Sequence, residues 1–501
     1  MKKIMLIFYS VLFSLIIQGQ NISVCGATSQ LSISSTPENI FYHPVTWSVD
    51  NSEIALISNS GKLYPKRNGI VTATATSSGT LFNSKTITIS NQNIPEYSLA
   101  VMGSSVPWGQ GADPGKGYAQ LFAQNLSTNA VNSWKTVNIS IPGNNTTDVL
   151  NRWDNDFLKS CTKYVFYGLS LGNEGIHEKG QPAFDSYRDN MQLLISKSRE
   201  MGKVPVIGNN YPRADFNLTD YNYLKQLNLL IHEWDVPSVN LLGSIDNGAG
   251  KWVSAYQADN AHPNTIGHAE MYYAIVPSMM DALAAGKPQP MKNSTTNITL
   301  DNNSELTRIA WKPENTAHSF TLTFSFKTTS TGTLASFVSE NQSFAQLKID
   351  TDGKLYYETE SVLSKLSSTK SVNDRQWHQI SLTHYYAWGR TFLYIDGVQM
   401  TNTTIVEKLV PVQFYLNDFD QTIQSVDLRE LFFHRSAMAL EEIVALHSGK
   451  MLKSSLEIYA PLDGNAANDE MKLMNTAQSL NTLTFEKRTL SSVQNLDLNE
   501  I

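Results

Sequence analysis

The spacing of apolar residues divides the chain into three segments with different rhythms. Between residues 28 and 92, short runs such as VTWSV and GIVTATAT alternate apolar and polar positions and are separated by turn residues. Alternation with a period of two is typical of strands that are buried on one face. Runs at this spacing predict a small β-sandwich.

A second rhythm begins at residue 97 and continues to residue 286. Continuously apolar runs, among them YSLAVMG and TKYVFYGLSL, alternate with helical stretches such as SYRDNMQLLISKSREMG. Apolar strands that alternate with helices predict a parallel sheet covered on both faces, which is a three-layer α/β/α fold. In such sheets the ligand site lies beyond the carboxyl ends of the strands.

The alternating strand rhythm returns in residues 300–490, where TDGK and IDGV are hairpin turn signals. This segment is expected to form a second β-sandwich. Residues 287–299, which include KPQPMKNSTTN, have the polar composition of a linker. We therefore expect the last domain to be tethered to the α/β domain rather than to share its site.

Residues 1–19 have the pattern of a secretory signal peptide. Two lysines precede an apolar stretch from Ile4 to Ile17, and Gly19 is a small residue suited to cleavage. A lipoprotein would need a small residue directly before Cys25, and Val24 stands there instead. The chain is therefore expected to be secreted, periplasmic or at the cell surface, with no transmembrane segment after the signal peptide.

Composition and charge exclude several classes of partner and cofactor. The 501 residues are 41% hydrophobic and 17% charged, and a net charge of −7 without a basic patch disfavours nucleic acid. The two cysteines, Cys25 and Cys161, are too few for a disulfide framework or a thiolate metal site, and whether they pair stays open. No HExxH motif or Cys/His cluster indicates a metal, and no cofactor is expected.

Four short polar stretches follow the predicted strands of the middle segment. They are GSSVPWG, SIPGNNTTD, SLGNEG and DNAHPNTIGH. In chain order they contain Ser104 and Ser105, then Gly143, then Asn173, and finally Asp259 and His262. Because strand ends meet at one edge of a parallel sheet, these side chains are expected to form one site.

These residue types suit the hydrolysis of an ester. A serine hydroxyl such as that of Ser105 needs a nearby base, and His262 can accept and return its proton near neutral pH. Asp259 can hold the other ring nitrogen and so fix the tautomer. The developing oxyanion needs neutral donors, which the Ser105 N–H, Gly143 and the Asn173 amide can supply.

In this order the four stretches resemble the blocks of the SGNH (GDSL-type) hydrolases, and the resemblance covers residues 97–286. It implies a flavodoxin-like α/β/α domain with Ser105, Asp259 and His262 as catalytic residues, and with the oxyanion hole described above. The sequence departs from the family at Ser104 and Glu174, where Asp is usual, and at Leu171, where Gly is usual. These departures concern the loop geometry and the substrate preference.

The outer segments resemble known domains as well. PVTWSVDNSEIALISNSGKLYPKRNGIVTATAT resembles bacterial group 2 immunoglobulin-like domains, and DRQWHQISLTHYYAWGRTFLYIDGV resembles laminin-G-like, concanavalin-A-type jelly rolls. Tyr385, Tyr386 and Trp388 form an aromatic cluster in the jelly roll that could stack on sugar rings or belong to its core.

A secreted esterase between two such domains points to an extracellular polysaccharide or glycan as its partner. We therefore favour the removal of O-acetyl groups from an extracellular carbohydrate. A lipase or thioesterase of the same fold is an alternative. Another is a non-catalytic, glycan-binding adhesin on a degenerate hydrolase scaffold.

Overall fold

The computed structural model describes residues 14–36, 45–77, 80–292, 297–302, 305–340, 344–360, 362–400, 405–418, 423–463 and 472–489. Residues 1–13 of the expected signal peptide and 293–296 of the expected linker lie outside these ranges. The chain forms two compact units. The first comprises residues up to Ala100 with 148–165 and 193–204, and the second comprises 101–147, 166–192 and the chain from Pro205 onward.

The first unit contains the expected immunoglobulin-like sandwich. Its two three-stranded sheets have the orders β2-β6-β5 and β4-β7-β8, and β1 pairs with β3. The strands are β1 (Ser14–Gln18), β2 (Ser29–Gln30), β3 (Ser32–Thr36), β4 (Val45–Val49), β5 (Ala55–Ile57), β6 (Lys62–Pro65), β7 (Gly69–Ser77) and β8 (Thr80–Ile89). Along β7 alternate residues are buried, and Val71, Ala73 and Ala75 face the core. This is the period of two expected from the sequence.

Strand β1 occupies the end of the stretch that we expected to be a signal peptide. It pairs antiparallel with β3, and its residue Ile17 is buried in the sandwich core. Ile22 also belongs to this core, so the sandwich begins before residue 28. Cleavage after Gly19 would remove β1, which means that the structure describes the sandwich of the uncleaved chain.

The first unit also contains a disulfide between Cys25 and Cys161, whose Cα atoms lie 6.0 Å apart. The sequence left this pairing open.

In the same unit, Asp154 forms ion pairs with Lys62 and Lys197. Burial raises the pKa of Asp154, but these two lysines outweigh that effect and hold it below its ordinary value.

The α/β domain is built on a five-stranded parallel sheet of order β10-β9-β11-β12-β13. Its strands are β9 (Ser98–Gly103), β10 (Lys135–Asn138), β11 (Tyr164–Gly168), β12 (Val204–Gly208) and β13 (Ser238–Val239). All residues of β9 and β11 are buried, as their apolar runs predict. The chain-order pattern 2-1-3-4-5 is that of a flavodoxin-like sheet, which places ligand sites at the strand ends.

Helices follow these strands. They are α1 (Ser105–Trp108), α2 (Tyr118–Thr128), α3 (Thr146–Asp156), α4 (Leu171–Glu174), α5 (Ile176–Lys179), α6 (Gln181–Glu200), α7 (Leu218–Glu233), α8 (Leu242–Ile245), α9 (Thr265–Tyr273) and α10 (Met279–Ala284). Short 3-10 helices span Leu158–Ser160 and Ser254–Tyr256. Among the helices of the described residues, none has both the length and the apolar character that crossing a bilayer requires.

The C-terminal segment is an antiparallel sandwich of the jelly-roll type. One sheet has the order β14-β26-β16-β21-β22-β23, with β24 paired to β22 and β27 to β26, and the other has the order β20-β19-β18-β17-β25-β15-β29-β28. The strands are β14 (Ile298–Asp301), β15 (Glu305–Trp311), β16 (Phe320–Thr328), β17 (Gly332–Ser339), β18 (Phe344–Ile349), β19 (Lys354–Thr359), β20 (Val362–Ser371), β21 (His378–Tyr385), β22 (Arg390–Ile395), β23 (Val398–Gln399), β24 (Ile405–Val406), β25 (Pro411–Leu416), β26 (Ser425–His434), β27 (Leu456–Ala460), β28 (Lys472–Leu473) and β29 (Leu483–Thr489). Helix α11 spans Leu440–His447.

The jelly roll packs directly against the α/β domain within the second unit, so the expectation of a tethered domain is wrong. Arg435 is buried, donates from Nε to the carbonyl oxygen of Tyr273 at 2.8 Å and forms an ion pair with the buried Glu457. His232 Nε2 lies 2.7 Å from Glu442 Oε1, and both side chains are buried. A linker composition says nothing about such side-chain pairs, because they join residues far apart in the chain.

Candidate active site

The stretch GSSVPWG forms a tight turn from β9 into α1. Ser104 is fully buried, and its backbone N–H donates to the carbonyl oxygen of Gly168 on the neighbouring strand at 3.2 Å. Ser105 is the first residue of α1, and Gly109 ends this helix in the left-handed conformation with φ 103°. The turn therefore presents Ser105 at the strand end and keeps Ser104 beneath it.

Ser105, His262 and Asp259 form one hydrogen-bonded chain. His262 Nε2 lies 2.9 Å from Ser105 Oγ, and His262 Nδ1 lies 2.9 Å from both carboxylate oxygens of Asp259. A carboxylate at Nδ1 favours the tautomer with the proton on Nδ1, which leaves Nε2 free to accept the serine proton. This geometry suits nucleophilic attack by Ser105.

The loop that carries Asp259 and His262 is fixed by its own backbone. Asp259 Oδ1 accepts hydrogen bonds from the backbone N–H groups of Ala261 and His262, at 2.8 and 2.9 Å. Asn264 caps α9 by accepting from the Gly267 N–H at 3.0 Å. Gly111 lies so close that a Cβ there would be 2.2 Å from the Pro263 carbonyl oxygen. The Asx turn, the cap and this close approach hold the imidazole over Ser105.

Two ionisable groups of the site have shifted pKa values. Partial burial raises the pKa of Asp259, but hydrogen bonds from His262 and Ala261 outweigh it and hold this pKa below its ordinary value. Burial lowers the pKa of His268 to about 4. His268 accepts from the Tyr118 N–H and bonds the Gln110 carbonyl oxygen at 2.9 Å. It therefore stays neutral and holds the segment after α1.

The two further residues expected in the oxyanion hole, Gly143 and Asn173, lie in segments that a hydrogen bond connects. Asn173 on α4 donates from Nδ2 to the Asn144 carbonyl oxygen at 2.9 Å, directly after Gly143. Gly143 has φ 85°, and a Cβ there would meet no atom within 4 Å. The Ile141 N–H donates to the Gly103 carbonyl oxygen at 3.0 Å, which joins this loop to the end of β9. The open face of Gly143 leaves space for a substrate oxygen.

Glu174, beside Asn173, has a structural contact that the sequence did not reveal. It is buried, and its Oε1 accepts the backbone N–H of Thr146 at 2.6 Å. A carboxylate at a helix start stabilises the unpaired N–H groups there.

His177 is half exposed and its Nδ1 lies 2.7 Å from Asp220 Oδ2, which raises the pKa of His177. In the described part of the chain, no three His, Cys, Asp or Glu side chains are grouped to hold a metal ion.

Aromatic residues behind the site were not predicted from the sequence. Trp252 donates from Nε1 to the carbonyl oxygen of Asn260, inside the catalytic loop, at 3.2 Å. Tyr211 stacks on Trp252 with ring centroids 5.9 Å apart. The Ala214 N–H also donates to Asn260, at 2.9 Å. These residues support the loop from segments that carry no motif, so no local signal in the sequence could have found them.

The aromatic cluster of the jelly roll makes contacts within the protein. Tyr385 is buried and donates from its hydroxyl to the Met438 carbonyl oxygen at 3.0 Å. Tyr386 stacks on His318 with centroids 3.8 Å apart. The ring of Trp388 lies against Gly248 of the α/β domain, where a Cβ would be 2.6 Å away. All three rings therefore pack on other residues of the protein, and their contact with glycan stays a prediction.

Three family matches coincide with the three folded segments. Residues 101–270 match the GDSL-like Lipase/Acylhydrolase family, residues 326–421 match the Laminin G domain, and residues 18–89 match the bacterial Ig-like domain of group 2. All three resemblances noted in the sequence are thereby confirmed. The match of residues 101–270 to a GDSL-like acylhydrolase family supports ester hydrolysis.

Solved structures are similar to parts of the chain. A catalytic mutant of an acetylxylan esterase from Geobacillus stearothermophilus is 16% identical over 36% of this chain and 91% of its own, with a TM-score of 0.31. A lipase from a goat rumen metagenome is 14% identical over 35% and 93%, with a TM-score of 0.31. A heptameric pentraxin from Limulus polyphemus is 15% identical over 33% and 88%, with a TM-score of 0.25. Likeness at this level carries no argument about function. Among curated proteins, none matches the chain.

Proposed function

We propose that this protein is an exported serine esterase that removes O-acetyl groups from an extracellular carbohydrate. The observation that carries the proposal is the hydrogen-bonded chain from Ser105 through His262 to Asp259, with each contact at 2.9 Å. In the GDSL-type domain, Ser105 of this hydrogen-bonded series directly follows β9, and a parallel sheet offers its ligand site at such strand ends.

In the proposed reaction, Ser105 Oγ attacks the ester carbonyl carbon while His262 Nε2 takes the hydroxyl proton. The bond between that carbon and the sugar oxygen then breaks, and His262 returns the proton to the sugar oxygen. This leaves acetyl on Ser105. Water attacks the acetyl-serine in the same way, with His262 as base, and acetate leaves as Ser105 regains its proton.

The negative charge that develops on the carbonyl oxygen needs donors that do not themselves react. The Ser105 N–H, Gly143 and the side-chain amide of Asn173 are assigned this role. Asn173 has two amide N–H groups, and its bond to Asn144 leaves one of them for substrate. Each such donor contributes about 2.7–4 kcal/mol to transition-state stabilisation in comparable enzymes.

A carbohydrate substrate is favoured by the surface beside the nucleophile. Trp108 is 51% exposed and lies one helical turn after Ser105, on the same face of α1. Ile141 is 44% exposed in the loop that precedes Gly143. An exposed indole face can stack on the apolar face of a sugar ring, so a ring held there would bring its acetyl group towards Ser105.

Export is favoured by two independent features. The basic and apolar pattern of residues 1–19 is that of a signal peptide. The disulfide between Cys25 and Cys161 would be stable in an oxidising compartment and rare in a reducing one. N-terminal sequencing of protein recovered from the cell exterior tests this, and an intact Met1 there would contradict cleavage.

The purified protein is expected to hydrolyse a short-chain chromogenic acetate ester, with rates that fall for butyrate and longer chains. Trp108→Ala should raise KM for an acetylated oligosaccharide about 10-fold while changing kinetics on the small ester little, because only the sugar uses the indole. Ile266→Ala, which removes another exposed apolar side chain, is the matched control. A folded protein without turnover on any of these esters would overturn the proposal.

A further inference from the structure

Side chains of the jelly roll and the α/β domain form a continuous chain of contacts beside the catalytic loop. Lys408 Nζ donates to the hydroxyl of Tyr256 at 2.8 Å and lies 5.1 Å from the ring centroid of Tyr386. Tyr386 stacks on His318 at 3.8 Å. His318 Nδ1 lies 3.0 Å from both carboxylate oxygens of Glu270. The three middle residues belong to the jelly roll, and the two end residues belong to the α/β domain.

Both end residues border the loop that carries Asp259 and His262. Tyr256 ends the short helix before this loop, and its carbonyl oxygen accepts the Asn264 N–H at 2.9 Å. The same carbonyl oxygen lies where a Cβ on Gly267 would be 2.2 Å away, so Tyr256 packs on the first turn of α9. The position of Tyr256 therefore sets both ends of the catalytic loop.

Glu270 fixes the helix on the C-terminal side of the catalytic loop. It lies on α9, the helix that follows the catalytic loop, and it is buried. Burial raises the pKa of Glu270, and the neighbouring His318 and Lys408 oppose that rise. A buried carboxylate needs such partners to stay in place, so His318 and Lys408 together hold α9 against the jelly roll.

We infer that Lys408, Tyr386 and His318 are positioning residues, through which the jelly roll holds the loop of Asp259 and His262 in its reactive geometry. The inference rests on the proposed function for the role of that loop. It assigns the jelly roll a part in the catalytic rate that a tethered targeting domain would not have. Displacement of a catalytic group by about 1 Å can cost about 100-fold in rate.

The test compares three variants of the full-length protein. Lys408→Met removes the bond to Tyr256 and keeps a long side chain, and Lys408→Arg restores a donor and a cation. Lys450→Met is the matched control, because Lys450 of the jelly roll also forms an ion pair with the α/β domain, at Glu233. The kinetics of a chromogenic acetate ester and amide hydrogen exchange of residues 256–273 are measured for each.

Lys408→Met is expected to lower kcat about 10-fold with KM unchanged, and to speed hydrogen exchange in residues 256–273 several-fold. Lys408→Arg should recover most of kcat, and Lys450→Met should match the wild type in both measurements. Unchanged exchange in Lys408→Met, or an equal loss of kcat in Lys450→Met, would overturn the inference. If the wild type itself has no turnover, the proposed function fails, and the exchange data alone decide whether the jelly roll holds this loop.

Discussion

Asp259→Asn is the substitution that probes the hydrogen-bonded chain most finely, because it changes one charge and little volume. Asp259 Oδ1 already accepts the N–H groups of Ala261 and His262. In the variant, the amide oxygen is expected to keep these two bonds, and the NH₂ group then takes the place of Oδ2, 2.9 Å from His262 Nδ1. An N–H donor there favours a bare Nδ1 and a protonated Nε2, which cannot accept the proton of Ser105.

The expected fall in kcat can be estimated from the distance between Asp259 and His262 and from the exposure of the Asp259 side chain. Two unit charges 2.9 Å apart attract by about 1.4 kcal/mol in bulk water and by about 6 kcal/mol at an effective dielectric constant of about 20. The Asp259 side chain is 56% exposed, so solvent screening puts the loss nearer the lower figure, at about 2–3 kcal/mol. That corresponds to a fall in kcat of roughly 30- to 150-fold, and the unfavourable tautomer adds to it.

Initial rates on a chromogenic acetate ester give kcat and KM for the wild type and the variant. KM should stay within about twofold, since Asp259 acts on the imidazole and not on the bound ester. Asp113→Asn, which changes an exposed carboxylate of a neighbouring loop, should behave as the wild type. If Asp259→Asn kept more than about a third of the wild-type kcat, the role of this carboxylate in holding the imidazole would be refuted.

Substitutions at three further residues test other parts of the molecule. Asn173→Ala should lower kcat about 10²- to 10³-fold with little change in KM, which steady-state kinetics would reveal. Glu174→Gln should be mild because it keeps an acceptor for the Thr146 N–H, whereas Glu174→Ala should cost about 1–3 kcal/mol of unfolding free energy in urea titrations. Arg435→Met leaves the buried Glu457 without its counter-ion and should cost about 3–5 kcal/mol of unfolding free energy. Burial already raises the pKa of Glu457, and loss of the cation raises it further, so the deficit should be larger at pH 8 than at pH 5. A deficit independent of pH would contradict that charge assignment.

The placement of the site could be predicted because it depends on local signals. Turn residues directly after apolar strands identify the strand ends, and a parallel sheet brings those ends to one edge. For this reason the segments of Ser105, Gly143 and Asn173 follow β9, β10 and β11 in the structure. The loop of Asp259 and His262 is separated from β13 by α8 and a 3-10 helix, so its place in the site was predicted by the family resemblance and not by a strand end. The contact of Asp259 with the second ring nitrogen of His262 was likewise expected, whereas the bonds of Asp259 to the Ala261 and His262 N–H groups were not.

The sequence could not predict contacts between domains, because these depend on surfaces built from distant segments. The bond of Arg435 to the Tyr273 carbonyl oxygen and the contact of Lys408 with Tyr256 carry no motif. A polar segment after Gly286 therefore suggested a tether where the structure has a packed interface. The aromatic residues before IDGV were ambiguous for a similar reason, because the same residue types pack on a neighbouring domain and stack on sugar rings.

The central claim is that Ser105 is the nucleophile of an esterase that removes acetyl groups from a carbohydrate. The most direct measurement is acetate release from an O-acetylated polysaccharide by the wild type, Ser105→Ala and Ser104→Ala, each shown to be folded. We predict that the wild type releases acetate, that Ser105→Ala loses about 10⁴-fold or more in rate, and that Ser104→Ala keeps substantial activity. Acetate release by Ser105→Ala at the wild-type rate, or no release by the folded wild type, would contradict the claim.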